Sequence, residues 1–192
     1  LFISEGWKIL DLISEKGFEI FLDLKLHDIP NTVKNGLTGL NKIKPIFTTI
    51  HISGGDDMMQ SSIIKNKFTK ILGVSILTSM DKKQIKKYYN QNNVSLLVKK
   101  FAKSAKKNGI DGIVCSPKEI PFIRKEVGKD FIIVTPGIRL DSKIKNDDQK
   151  RVETPKRAID MGANFLVIGR PITESKNPVK VLKEINKTIS KA

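Results

Sequence analysis

Cysteine is scarce in this sequence. Cys115 is the only one in 192 residues. One thiol rules out an internal disulfide and any cysteine-based zinc cluster. Aromatic residues are few at 6%, and Gly (13) and Pro (8) are too sparse for a collagen-like or low-complexity chain. No apolar run approaches the ~18 residues that cross a bilayer. The first residues carry no basic-then-apolar leader pattern. These absences point to a reducing, cytoplasmic setting. What is present is 39% hydrophobic content. That suffices for one sizeable core, so residues 1–192 read as a single domain.

Acidic residues are also short, at 20 against 35 basic ones, which leaves a net charge of +15. Such a balance raises the question of nucleic acid or an anionic membrane. The bases are mostly Lys and lie on polar faces of expected helices, as in VKKFAKSAKK (98–107). They form no basic arm with interleaved aromatics. The charge pattern therefore predicts neither a nucleic-acid nor a membrane partner. A small phosphorylated substrate would profit from the positive field through faster encounter.

Short runs rich in Val, Ile, Leu, Phe and Thr alternate with amphipathic segments. The runs are 18–25, 46–52, 70–77, 111–116, 131–137 and 164–169, and each reads as a strand. Helices are expected over 4–16, 31–44, 56–67, 95–108, 118–127, 155–162 and 178–190, with a short irregular one in 81–93. Asp28 is a candidate cap for the second of these, and Pro30 suits its first turn. Residues 138–150 read as one long polar loop. This alternation calls for a parallel sheet covered by helices. The fold class is α/β, either a TIM (β/α)8 barrel or a six-stranded open sheet. Polar residues on the strands, and site signals at several strand C-termini, favour the barrel. Only six strands are visible, and the chain opens inside a helix at Leu1. The expectation is an incomplete barrel of about six of eight βα units, with the first two strands missing from this polypeptide.

FLDLKLHDIPNT, residues 21–32, is the sharpest feature. Alternation puts Asp23 and Lys25 on one face of the strand and Leu22, Leu24 and Leu26 on the other. The leucines can pack under helices while Asp23 and Lys25 enter the barrel interior. Buried ions there cost several kcal/mol each unless paired. An acid, a base and a further acid (Asp28) at a strand end read either as a structural ion pair or as a charge cluster aiming a protonated Lys25 at a substrate.

The pattern D-x-K-x-x-D-I-P-x-T resembles the signature of the orotidine 5′-phosphate decarboxylase family. HISGG (51–55), SILTSM (75–80), TPGIR (135–139) with DQKR (148–151), and VIGRPIT (167–173) support it in order. The resemblance covers essentially the whole chain. It implies conversion of orotidine 5′-phosphate to UMP and CO2 without metal or organic cofactor. Lys25 is then the proton donor to carbon 6 of the pyrimidine, and Asp23 sits near the departing carboxylate. Asp28 and Thr32 would reach a neighbouring site across a homodimer interface. Thr78 and Ser79 would meet the pyrimidine, and Arg139, Gln149, Gly169 and Arg170 would grip the phosphate. Loops after the last two strands of such barrels often bind phosphate. Arg139 and Arg170 are also two of only five arginines here.

The family's first two strands supply an Asp that contacts the ribose and a second Lys of the charge network. Neither is in this sequence, so activity is expected of the full-length protein and little or none of these 192 residues alone. Related sugar-phosphate decarboxylases and synthases share D-x-K-x-x-D but use magnesium; IPNT and LTSM favour the pyrimidine enzyme. A basic binding module without catalysis is the reading from a different class. His51 could face the barrel but reads as a structural hydrogen-bonding residue, and His27 as a loop residue. Cys115, with no base beside it in sequence, reads as a small core residue.

Overall fold

The computed structural model describes residues 1–63, 68–140 and 152–190. All six expected strands form, each shorter than its apolar run. They are β1 (Phe21–Leu26), β2 (Phe47–His51), β3 (Lys70–Val74), β4 (Gly112–Val114), β5 (Ile132–Thr135) and β6 (Phe165–Leu166). Every pairing is parallel, and the strand order in the sheet is the order in the chain.

The helices also follow the pattern, with local differences. The expected helix 4–16 is split at Gly6, whose φ of 63° breaks the ladder. It becomes α1 (Phe2–Glu5) and α2 (Lys8–Glu15). Next come α3 (Pro30–Thr38), tightened into a 3-10 turn at Gly39–Lys42, and α4 (Asp56–Ser61). Segment 81–93 holds a regular helix, α5 (Lys82–Tyr89), because Asp81 and Gln84 close a capping box. The chain continues through α6 (Val94–Lys107), α7 (Ile120–Val127) and α8 (Pro155–Asp160). It ends with α9 (Arg170–Thr173), a single turn absent from the sequence reading, and α10 (Pro178–Ile189). Pro30, Pro155 and Pro178 each open a helix, where the missing N–H costs nothing. Asp28 is not the cap of α3. Ile29 takes that place without a side-chain bond, and the Asp28 carboxylate accepts instead from the adjacent Ile29 N–H at 2.7 Å.

Two apolar layers result from the strand alternation. Leu22, Ile50, Ile71, Ile113 and Ile133 face outward and share one core with Val33, Leu37, Val98, Ala102 and Ile123 of the helices. Phe47, Leu72 and Val134 face the opposite way and meet Phe21, Val114 and Ile132, all from the sheet. Each fully buried Leu, Ile or Phe contributes roughly 1.5–3 kcal/mol. The inner layer reveals the curvature. Phe47 on β2 meets Phe165 on β6 at 4.9 Å between ring centroids, although three strands separate them in the sheet. A flat sheet cannot bring those rings together. The fold is a curled, parallel half-barrel with helices on its outer face. Gly112 suits the tight middle of it: a Cβ there would lie 2.4 Å from the Ile132 carbonyl oxygen.

Candidate active site

The C-terminal rim of the half-barrel holds a cleft of ≈ 240 Å³. Asp23 and Lys25 line it with Thr78 and Ser79, against an apolar wall that includes Phe21, Ile76, Val114, Pro136 and Val167. The leucines of the same strand turn toward the helices, as alternation predicts. One expectation is corrected here. Asp23 and Lys25 are not buried: their side chains remain 44% and 42% exposed. β1 is an edge strand of the described sheet, so water reaches its inner face at the cleft mouth. The heavy desolvation cost of a buried ion pair therefore does not arise.

The Lys25 ammonium pairs with Asp23 Oδ2. The Thr49 hydroxyl donates to Asp23 Oδ1 at 2.6 Å and accepts the Lys25 backbone N–H at 2.8 Å. Lys25 has a left-handed backbone, with φ at 50°. Its strand is irregular at that point: the stretch from Leu22 to Leu26 runs alongside only Thr48 to Ile50 of β2. A lysine in this conformation costs about 1–2 kcal/mol. Such strain persists where its surroundings enforce it, and it gathers at functional sites.

Two imidazoles stand beside the pair. The His27 and His51 rings lie 5.3 Å apart. Burial lowers the His51 pKa below its ordinary 6.5, and the charges of His27 and Lys25 lower it further, against an opposing pull from Asp23. These influences favour the neutral imidazole. A depressed folded-state pKa means stability is held above 6.5 and lost as the pH falls through the folded value. The melting temperature is expected to fall more steeply below pH 6.5 in the native sequence than in His51→Gln. Parallel acid melts of the two proteins measure this, and identical slopes would contradict it.

The remaining expected site residues that are described do not line this cleft. Asp28 and Thr32 are exposed, beyond β1 and on the first turn of α3, and do not line it. Arg139 follows β5 and is only 6% exposed, donating to the Ile138 carbonyl at 2.9 Å. That burial excludes an ordinary surface charge. Gly169 caps α9, and Arg170 begins it, exposed. A Cβ on Gly169 would meet nothing within 4 Å, so the backbone there is open to approach. Gln149 lies outside the described residues. Cys115 is buried in the core, as expected, yet also borders the cleft. Thr49 was not among the expected site residues. Its one sequence signal is a hydroxyl two positions before His51 inside an apolar run.

The family model described as "Orotidine 5′-phosphate decarboxylase / HUMPS family" matches residues 1–185. The chain belongs to that family. It is 43% identical to the orotidine 5′-phosphate decarboxylase of Coxiella burnetii, over 98% of this chain and 82% of that protein. The enzyme of the same name from Wigglesworthia glossinidia brevipalpis is 45% identical, over 96% of this chain and 81% of that one. The crystal structure of the Lactobacillus acidophilus orotidine 5′-phosphate decarboxylase superposes with a TM-score of 0.84 at 36% identity. That match covers 98% of this chain and 83% of the other. Family membership thus agrees with the resemblance carried by FLDLKLHDIPNT and the four motifs after it.

Proposed function

We propose that this protein is a carboxy-lyase that converts orotidine 5′-phosphate to UMP and CO2, with Lys25 as the proton donor. The observation that carries this reading is the Asp23–Lys25 pair, held at the rim of a cleft beside Thr78 and Ser79. Breaking the bond between carbon 6 and the carboxylate leaves an electron pair on carbon 6. An ammonium fixed beside that carbon stabilises the developing charge and then transfers its proton there. The Lys25 amine recovers a proton from solvent, which reaches the exposed cleft mouth. The apolar wall of Phe21, Ile76, Val114 and Val167 suits the flat faces of a pyrimidine. Thr78 and Ser79 supply polar groups for its edge.

At the far end of the nucleotide we assign the phosphate to Arg139, Gln149, Gly169 and Arg170. Arginine forks match phosphate oxygens, and open backbone at Gly169 allows close approach. Binding energy from that remote phosphate can support the chemical step. Asp28 and Thr32 are assigned to a homodimer interface, where their exposure would let them reach a neighbouring site. The curl of six strands supports reading the half-barrel as part of an eight-unit (β/α)8 ring.

No metal or cofactor enters this reaction. Full-length protein treated with a chelator is expected to release UMP at the untreated rate, measured by loss of substrate absorbance. No loss of orotidine 5′-phosphate, together with magnesium-dependent turnover of a sugar phosphate, would instead favour a sugar-phosphate enzyme of the same family.

A further inference from the structure

The Asp23–Lys25 pair is backed by the hydroxyl of Thr49, which is fully buried on β2. It completes a closed circuit. The Lys25 backbone N–H donates to Thr49 Oγ1, Oγ1 donates to Asp23 Oδ1, and Asp23 Oδ2 takes the Lys25 ammonium. An N–H can only donate and a carboxylate only accept, so the direction of the Thr49 proton is fixed by its two neighbours. The β-branched side chain has restricted χ1 freedom, which holds the oxygen in place. The same hydroxyl thus engages the backbone of Lys25 at its left-handed kink and the carboxylate that pairs with its ammonium. We propose that Thr49 is a positioning residue: it sets where the Lys25 ammonium sits without touching substrate. This rests on Lys25 being the proton donor, and it adds a residue outside the charged pair on which that role depends.

The test compares Thr49→Val, Thr49→Cys and Thr49→Ser in the full-length protein, with Lys25→Ala as a control. The readouts are kcat and KM for orotidine 5′-phosphate and the amide hydrogen exchange of Lys25. Small misplacement of a reacting group can cost about 10²-fold in rate. Thr49→Val is expected to lower kcat by about that factor with KM nearly unchanged, and to speed exchange at Lys25. Thr49→Ser keeps the hydroxyl and is expected to restore both. Thr49→Cys, close in size but a weak hydrogen-bonding group, supplies the same reading if the valine variant does not fold. A folded Val or Cys variant with kcat within about threefold of the native value overturns the proposal, as does a loss that Ser does not rescue. If Lys25→Ala itself keeps native kcat, the catalytic reading of the whole site falls, a different outcome from silence at Thr49 alone.

Discussion

Lys25→Ala in the full-length protein is expected to lower UMP formation by at least ~10⁴-fold while leaving the fold intact. The size follows from two roles lost together. Removing a positioned general acid typically costs 10²–10⁴-fold, and removing a fixed positive partner of a developing charge costs about 10²–10³ more. Folding should survive because the Lys25 side chain is 42% exposed. Its loss leaves the Asp23 carboxylate in contact with water and with the Thr49 hydroxyl, not stranded in an apolar core. The left-handed φ at residue 25 adds no new cost, since alanine keeps the Cβ that makes that conformation unfavourable for lysine. Substrate depletion at high enzyme concentration measures the rate, and circular dichroism checks the fold. A correctly folded variant within tenfold of native turnover would remove Lys25 from the chemistry.

The largest effect on stability is expected far from the cleft, at Arg124 on α7. Its guanidinium donates to the carbonyls of Gly128, Lys129 and Phe131 through Nη1, and to Gly162 and the Asn164 side chain through Nη2. Asn164 Oδ1 also accepts the Ile133 N–H at 2.8 Å. One planar group therefore joins the end of α7, the start of β5 and the turn into β6. Hydrogen bonds to a charged donor contribute about 1.5–3 kcal/mol each when buried. With partial exposure, and with water able to replace some of them, Arg124→Ala is expected to cost roughly 2–4 kcal/mol. For a chain of this length that is a fall of roughly 5–15 °C in melting temperature. Arg124→Lys should recover little, since a lysine cannot serve five acceptors in one plane. A melt within about 2 °C of the native protein would show that solvent replaces the clamp, the outcome that the exposed part of the side chain would then explain.

Much of this architecture could be read in advance, for identifiable reasons. Strands buried on both faces leave continuous apolar runs, so all six were visible. Prolines at 30, 155 and 178 marked helix starts because the first turn tolerates them. Gly6 was harder: an isolated glycine inside a helical pattern does not say whether it will take a positive φ. Asp28 had the composition of a cap, but backbone geometry gave that place to Ile29. At the site, alternation alone put Asp23 and Lys25 together, and the cleft brings Thr78 and Ser79 to them. The kink at Lys25 was not visible, since nothing in FLDLKL specifies a left-handed residue. Thr49 was hidden for a related reason: a threonine in a β-rich run looks like strand propensity until its partner strand is in register.

The sheet's sequential order also bears on how the protein is made. Each strand pairs with its nearest predecessor and successor in the chain, so no strand waits for a distant segment before it can add. The Asp23–Lys25–Thr49 circuit needs only β1 and β2, complete by His51. Domains are built from the N-terminus as synthesis proceeds. On the ribosome, the side chains that carry the charge are therefore brought together before the arginines assigned to the phosphate are made.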